Sequence, residues 1–221
     1  MTIKENIKSV RKNISKNVTL ISVSKTKPNE AIIEAYEAGE RLFGENKAQE
    51  IIKKQPELPQ DIQWHFIGHL QTNKVKYLTP FVSLFHSIDR AKLLKTINSE
   101  AKKSNRIVDC LLQFHIAEET TKFGLDIKEA NELLKSDTYS AMENIRIIGV
   151  MGMATFTDNT DQVRREFRIL KNIFTDLKKN FFADDSSFKE VSMGMSGDYK
   201  IAIEEGSTMV RVGSSIFGSR Y

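Results

Sequence analysis

The feature that most constrains this chain is an alternation of two periods. Short apolar, β-branched runs begin near Val18, Arg41, Ile62, Ser83, Arg106, Ile145, Glu190 and Met209, which makes eight candidate strands. Successive runs start 23, 21, 21, 23, 39, 45 and 19 residues apart, room in each case for the crossover helix that parallel neighbours require. The segments between them carry helical spacing. In the longest, Val163, Phe167, Leu170, Phe174 and Leu177 mark one face and Arg164, Arg165, Arg168 and Lys171 the other. Asn29, Asp89 and Asp198 stand where helix caps are expected, with Gly39 and Gly206 as stops. Ahead of the first strand, Ile3, Ile7, Val10 and Ile14 predict a helix within residues 2–16, opened by a Thr2–Glu5 capping box. The pattern predicts an α/β fold, a single (β/α)8 TIM barrel spanning residues 1–221 with an extra N-terminal helix. An open doubly wound sheet is the alternative, but it usually shows a glycine fingerprint after its first strand, where this chain has Ser24-Lys25-Thr26-Lys27-Pro28.

The length, 221 residues, suits such a barrel as one unit, since α/β barrels commonly run to about 200–250 residues. With 40% hydrophobic and 28% charged residues, the chain is neither disordered nor a coiled coil. The net charge of +4 is spread along the chain, so nucleic acid is not an expected partner. Lys102-Lys103 and Lys178-Lys179 read as cations complementing helix C-termini. The single cysteine, Cys110, excludes an internal disulfide and fits a reducing compartment. No apolar stretch approaches the ~18 residues of a membrane span, and the N-terminus is too charged for a signal peptide. The expectation is a cytoplasmic monomer with no membrane partner.

In a barrel the reactive groups lie at the C-terminal ends of the strands. Lys25 closes the first strand and shares a face with Ile21 and Val23 by period-two parity. It is either a strand-end lysine turned to water or an amine desolvated into a nucleophile. Strands seven and eight end in Gly194-Met195-Ser196-Gly197 and Gly213-Ser214-Ser215, where such barrels usually bind phosphate. These are either tight turns or an anion cradle, aided by the dipole of the helix opening at Asp198. The spacing of Gly213 and Gly218 suggests a nucleotide P-loop, but Ser219-Arg220 follows it in place of Lys-Ser/Thr. Gly194–Asp198 likewise misses the nucleophile elbow by one position. Arg211 should point into the barrel, paired with an internal carboxylate such as Glu45 or with a ligand. His65 faces the mouth by alternation with Trp64 and Phe66; His65 and His69 lack a third ligand, so no metal site is expected. His86, His115 and Cys110 read as structural.

Six segments together carry a resemblance. They are VSKTKP at 23–28, FGEN at 43–46, WHFIGHLQTNK at 64–74, HSID at 86–89, SMGMSGD at 192–198 and GSTMVRVGSSIFGSR at 206–220. In these the chain resembles the pyridoxal phosphate homeostasis proteins, the YggS/PROSC family. The resemblance implies a barrel like the N-terminal domain of alanine racemase, with pyridoxal 5′-phosphate held as an internal aldimine on Lys25, not Lys27. It further implies that Ser196, Gly197, Gly213 and Ser214 hold the phosphate, that Arg211 faces the pyridine nitrogen, and that Asn46 and His65 lie near the ring. Two departures bear on the outer wall of that site: Lys122-Phe123-Gly124 where many members have Lys-Ser-Gly, and VMGMATF at 150–156 where Gly-Leu-Met is more usual. The implied function is vitamin B6 homeostasis, with apo-forms of pyridoxal phosphate enzymes as recipients and no established activity. An arginine at the pyridine nitrogen disfavours its protonation and weakens the ring as an electron sink. The chain also stops after its eighth strand, so the second domain that gives alanine racemase its opposite-face tyrosine is expected to be missing. A pyridoxal-phosphate-dependent amino-acid racemase or lyase is the alternative, and a sugar-phosphate isomerase without the cofactor is a third.

Overall fold

The structure is a computed structural model that describes residues 2–118 and 123–218. Eight parallel strands close in sequence order into a barrel, β1 (Thr19–Val23), β2 (Leu42–Glu45), β3 (Gln63–Phe66), β4 (Val82–Ile88), β5 (Val108–Phe114), β6 (Ile145–Gly152), β7 (Glu190–Met195) and β8 (Met209–Val212). Closure is made by β1 against β8, with Thr19 opposite Met209 and Ile21 opposite Arg211. This excludes the open sheet. The helices are α1 (Ile3–Lys12), α2 (Asn29–Glu37), α3 (Ala48–Lys54), α4 (Val75–Leu78), α5 (Ala91–Lys103), α6 (Ile127–Lys135), α7 (Asp137–Ser140), α8 (Thr160–Phe181), α9 (Tyr199–Glu204) and α10 (Ser214–Phe217). None of them is long and apolar enough to cross a membrane.

Alternation along the strands sorts two interiors. Outward-facing residues such as Phe43, Phe85, Val210 and Val212 join the helices in one large core. Inside the barrel, Leu84, Leu111, Met151 and Met209 form a separate apolar cluster, the kind of layer that fills such barrels. Above that layer, toward the strand C-termini, the buried interior turns polar with His65, His86, Ser192 and Arg211.

The capping box at Thr2 and Glu5 is present, and α1 ends at Lys12. The other three caps differ from expectation. Pro28, held extended at φ −71°, takes the cap position of α2, so Asn29 becomes its first residue and donates its amide to Glu57 Oε2 at 2.6 Å. Asp89 is engaged by His69 and Arg90 and leaves α5 without a side-chain cap. Asp198 sits at the cap of α9, but its carboxylate accepts from the Met195 N–H. On α8, Val163, Phe167, Leu170 and Leu177 are buried as the spacing requires, while half-buried Phe174 stacks on Phe188. Its opposite face is more than solvated surface, because Arg164 and Arg168 both pair with Glu205 after α9.

Candidate functional site

Beyond β1 the chain turns sharply. The Lys27 N–H bonds back to the Ser24 carbonyl at 3.0 Å, Thr26 takes a left-handed φ of 64°, and its N–H donates to Glu50 Oε1. A β-branched residue in that region is strained, a condition found at functional sites. The turn brings both Lys25 and Lys27 to one cavity of about 350 Å³ at the barrel mouth. Parity therefore puts Lys25 where expected, but it does not separate the two lysines, because the strand ends at Val23.

The same cavity is lined by Asn46 after β2, by Ser196 and Gly197 after β7, and by Arg211, Gly213 and Ser214 of β8 and its loop. Seven of the eight site residues expected from sequence thus converge on one space. The two glycine-serine loops are stitched together: Ser196 Oγ accepts from the Gly213 N–H at 3.1 Å and from the Ser215 N–H at 3.4 Å. A Cβ added at Gly197 would meet nothing within 4 Å, so this part of the loop faces open space. The helix dipole contributes little here, since α9 has only six residues. Val23, Ile67, Met153 and Phe156 supply apolar wall, and Phe156 is 97% exposed. Of the two departures, Met153 and Phe156 do reach the cavity, Phe123 and Gly124 border a separate surface pocket with His69, and Lys122 lies outside the described residues.

His65 is not among the residues lining this cavity. It is buried, and its Nδ1 lies 2.9 Å from Nε2 of His86. His86 Nδ1 lies 2.9 Å from Ser192 Oγ, which accepts from Arg211 Nη1 at 2.6 Å; Arg211 Nη2 donates to the Gly152 carbonyl at 3.0 Å. Burial pushes His65 down to about 4, and His86 well below the ordinary imidazole value with His65 and Arg211 adding to the effect. Burial also lowers Arg211 to about 10, against the pull of Asp198. It remains a cation at neutral pH. Glu45 is not its partner, since one Glu45 oxygen accepts from Ser24 and Lys54 and the other has no partner. Sequence reasoning missed His86 and Ser192 as site-linked residues. The signal was available, because His86 shares an inward strand face with Leu84, and Ser192 alternates with Val191 and Met193, which join the core on the helix side. Cys110 is inert, its thiol raised by burial. Among the described residues no cluster of His, Cys, Asp and Glu could hold a metal ion.

The profile of the family described as alanine racemase, N-terminal domain, matches residues 1–221. The chain is 40% identical over 202 residues to the pyridoxal phosphate homeostasis protein of Aquifex aeolicus, covering 91% of this chain and 86% of that protein. Among solved structures it is similar to PipY of Synechococcus elongatus PCC7942 with PLP bound, at a TM-score of 0.88 and 33% identity over 98% of this chain and 100% of that one. Alanine racemase from Bartonella henselae with covalently bound pyridoxal phosphate is similar at a TM-score of 0.72 and 15% identity, over 99% of this chain and 60% of that chain. At that identity the likeness is one of fold.

Proposed function

Because the chain belongs to the alanine racemase N-terminal domain family, and within it to the pyridoxal phosphate homeostasis proteins, we propose that it binds pyridoxal 5′-phosphate and hands it to apo-forms of enzymes that use it. One observation carries the reading: Lys25, Arg211 and the two glycine-serine loops open into a single cavity whose volume suits a small cofactor.

The residues present fit this group. Hydroxyls of Ser196 and Ser214 and the backbone at Gly197 form a donor set for a phosphate, Gly213 joins the two loops through its N–H to Ser196 Oγ, and the apolar wall of Val23, Ile67 and Met153 suits an aromatic ring. When bound, pyridoxal phosphate supplies an aldehyde that condenses with an amine, releasing water, and a ring that draws electrons from adjoining bonds. Lys25 is the amine that holds it. Arg211 donates hydrogen bonds and accepts none, so beside the ring nitrogen it disfavours a proton there. Asn46, which lines the cavity after β2, would lie beside the ring. These residues retain a cofactor without priming it for carbanion chemistry.

The test is a visible spectrum of the purified protein before and after borohydride, followed by peptide mapping. The label is expected on Lys25, and Lys25→Ala should abolish covalent retention while leaving phosphate-anchored binding. A label on Lys27 would overturn the assignment. Alanine, serine and glutamate should show negligible turnover, and the loaded protein should reactivate an unrelated apo-enzyme beyond what leaked cofactor achieves with a scavenger present. Robust turnover abolished by Lys25→Ala would favour the racemase or lyase reading.

A further inference from the structure

The interior of the barrel holds a chain of four polar side chains from four strands, His65 of β3, His86 of β4, Ser192 of β7 and Arg211 of β8, linked by contacts of 2.9, 2.9 and 2.6 Å. A guanidinium only donates, so its bond to Ser192 Oγ fixes one end. Among the described residues, Ser192 Oγ has no bonding partner besides Arg211 and His86. The serine proton therefore has one acceptor, His86 Nδ1. With that nitrogen accepting, a neutral His86 carries its proton on Nε2 and donates to His65 Nδ1, and His65 in turn is the Nε2–H tautomer. Both tautomers follow from the arginine at the far end. The chain has one direction, and reversing it would aim a proton at a donor.

We propose that His86 and Ser192, backed by His65, are positioning residues for Arg211: they fix its guanidinium at the inner end of the cavity and leave no imidazole able to pass a proton toward a bound ring. The groups facing this chain are His65, His86 and Arg211 themselves and Asp198 after β7, whose charge favours the protonated guanidinium. None of them supplies an acid to the arginine. The unprotonated ring nitrogen expected of this site is then enforced by a buried network that reaches β3, on the other side of the barrel mouth from Gly213. Only this last step rests on the reading of the cavity as a pyridoxal phosphate site; the direction of the chain does not.

Two-bond nitrogen–proton spectra of the cofactor-free protein, labelled with 15N-histidine, read the chain directly. His65 and His86 should both appear as neutral Nε2–H tautomers, constant from pH 5.5 to 8.5. An Nδ1–H signal from either ring, or titration within that range, overturns the chain whatever the cavity binds. In Ser192→Ala the second tautomer of His86 should rise to a substantial fraction, and Ser192→Thr, which keeps the hydroxyl, should restore the single form. With pyridoxal phosphate added, the long-wavelength band should be independent of pH in the parent and in Ser192→Thr, and should shift with pH in Ser192→Ala. A band in Ser192→Ala that behaves like the parent's overturns the positioning role. Failure of the parent protein to bind, with the tautomers as stated, overturns the cofactor reading and leaves the chain standing.

Discussion

Glu45 lies within one residue of the cavity-lining Asn46, yet it serves the scaffold. It is fully buried, and burial raises its carboxyl above the ordinary value while Lys54 pulls it back. The buried Lys54 ammonium bonds to Glu45, Glu50 and the Ser24 carbonyl, at 2.8, 2.7 and 3.0 Å, so it braces the turn that presents Lys25. Lys54→Met would leave the carboxylate buried without its cation, a loss on the order of 3–5 kcal/mol. The pH dependence has a definite sign. A carboxyl raised in the folded state binds its proton where the unfolded chain has released it, so its contribution to stability falls as pH rises through the folded value. Without Lys54 that value moves higher still, and the deficit of Lys54→Met should be larger at pH 8 than at pH 5.5. Urea midpoints at the two pH values check this, and a deficit independent of pH would contradict it. The legibility of single residues divides along the same line. Lys25, Ser196, Gly213 and Arg211 could be read from sequence because their positions at strand ends have a meaning in any barrel. Inward parity was legible at His86, but its link to Ser192 was not, because β4 and β7 meet only across the closed barrel; Glu45 could not be told from a partner of Arg211, because Lys54 reaches it from α3.

At the scale of elements, the strands and the start of α1 were readable, and the other three helix caps offered by the sequence were not. Strand periodicity is enforced by two buried faces, whereas a cap depends on which nearby group engages the side chain first. Asp89 is taken by His69 and Arg90 and Asp198 by a backbone N–H, although the sequence offers both as caps. The connection from β3 to β4 likewise carries only a 3-10 turn and the four-residue α4 where a full crossover helix was expected. Another constraint invisible to periodicity is the contact of β6 with β7 at Gly149, where φ is 157° and an added Cβ would meet the Glu190 carbonyl oxygen at 1.9 Å. That neighbour is backbone and cannot swing aside. Gly39 has a φ of 105° and nothing within 4 Å, so a side chain there meets conformational strain alone. Gly39→Ala should therefore cost about 1–2 kcal/mol. Gly149→Ala should exceed that by at least the roughly 1–3 kcal/mol of overpacking, because two strands must part. Denaturant midpoints of the two variants give the comparison, and equal losses would mean that β6 and β7 slide apart without resistance.

For the whole molecule, the unusual element is α1, which precedes the barrel and packs at its seam. Ile7 and Val10 are buried, and Arg11 pairs with the buried Glu40 at 2.7 Å. The Ile3 N–H donates to Glu34 of α2 at 2.9 Å, and the Asn6 side-chain amide donates to the Ile216 carbonyl at 2.9 Å. The first helix thus clamps both the element after β1 and α10, the short helix that follows the Gly213–Ser214 loop. The first of these follows the turn that carries Lys25, and the second begins at Ser214, one of the expected phosphate donors. The amphipathic pattern of residues 2–16 announced a helix, but nothing local could say that its polar Asn6 would hold the other end of the chain. Asn6→Leu removes one hydrogen bond of about 1 kcal/mol from a helix of four residues that has few others. Local opening of α10 should then become about fivefold more frequent, read as faster amide exchange at residues 214–218 with exchange in β4 and β5 unchanged. Retention of pyridoxal phosphate should fall with it, since Ser214 leaves the cavity each time α10 opens. Equal acceleration in every strand would assign Asn6 to global stability instead, and unchanged exchange in α10 would show that α1 does not secure the phosphate loop.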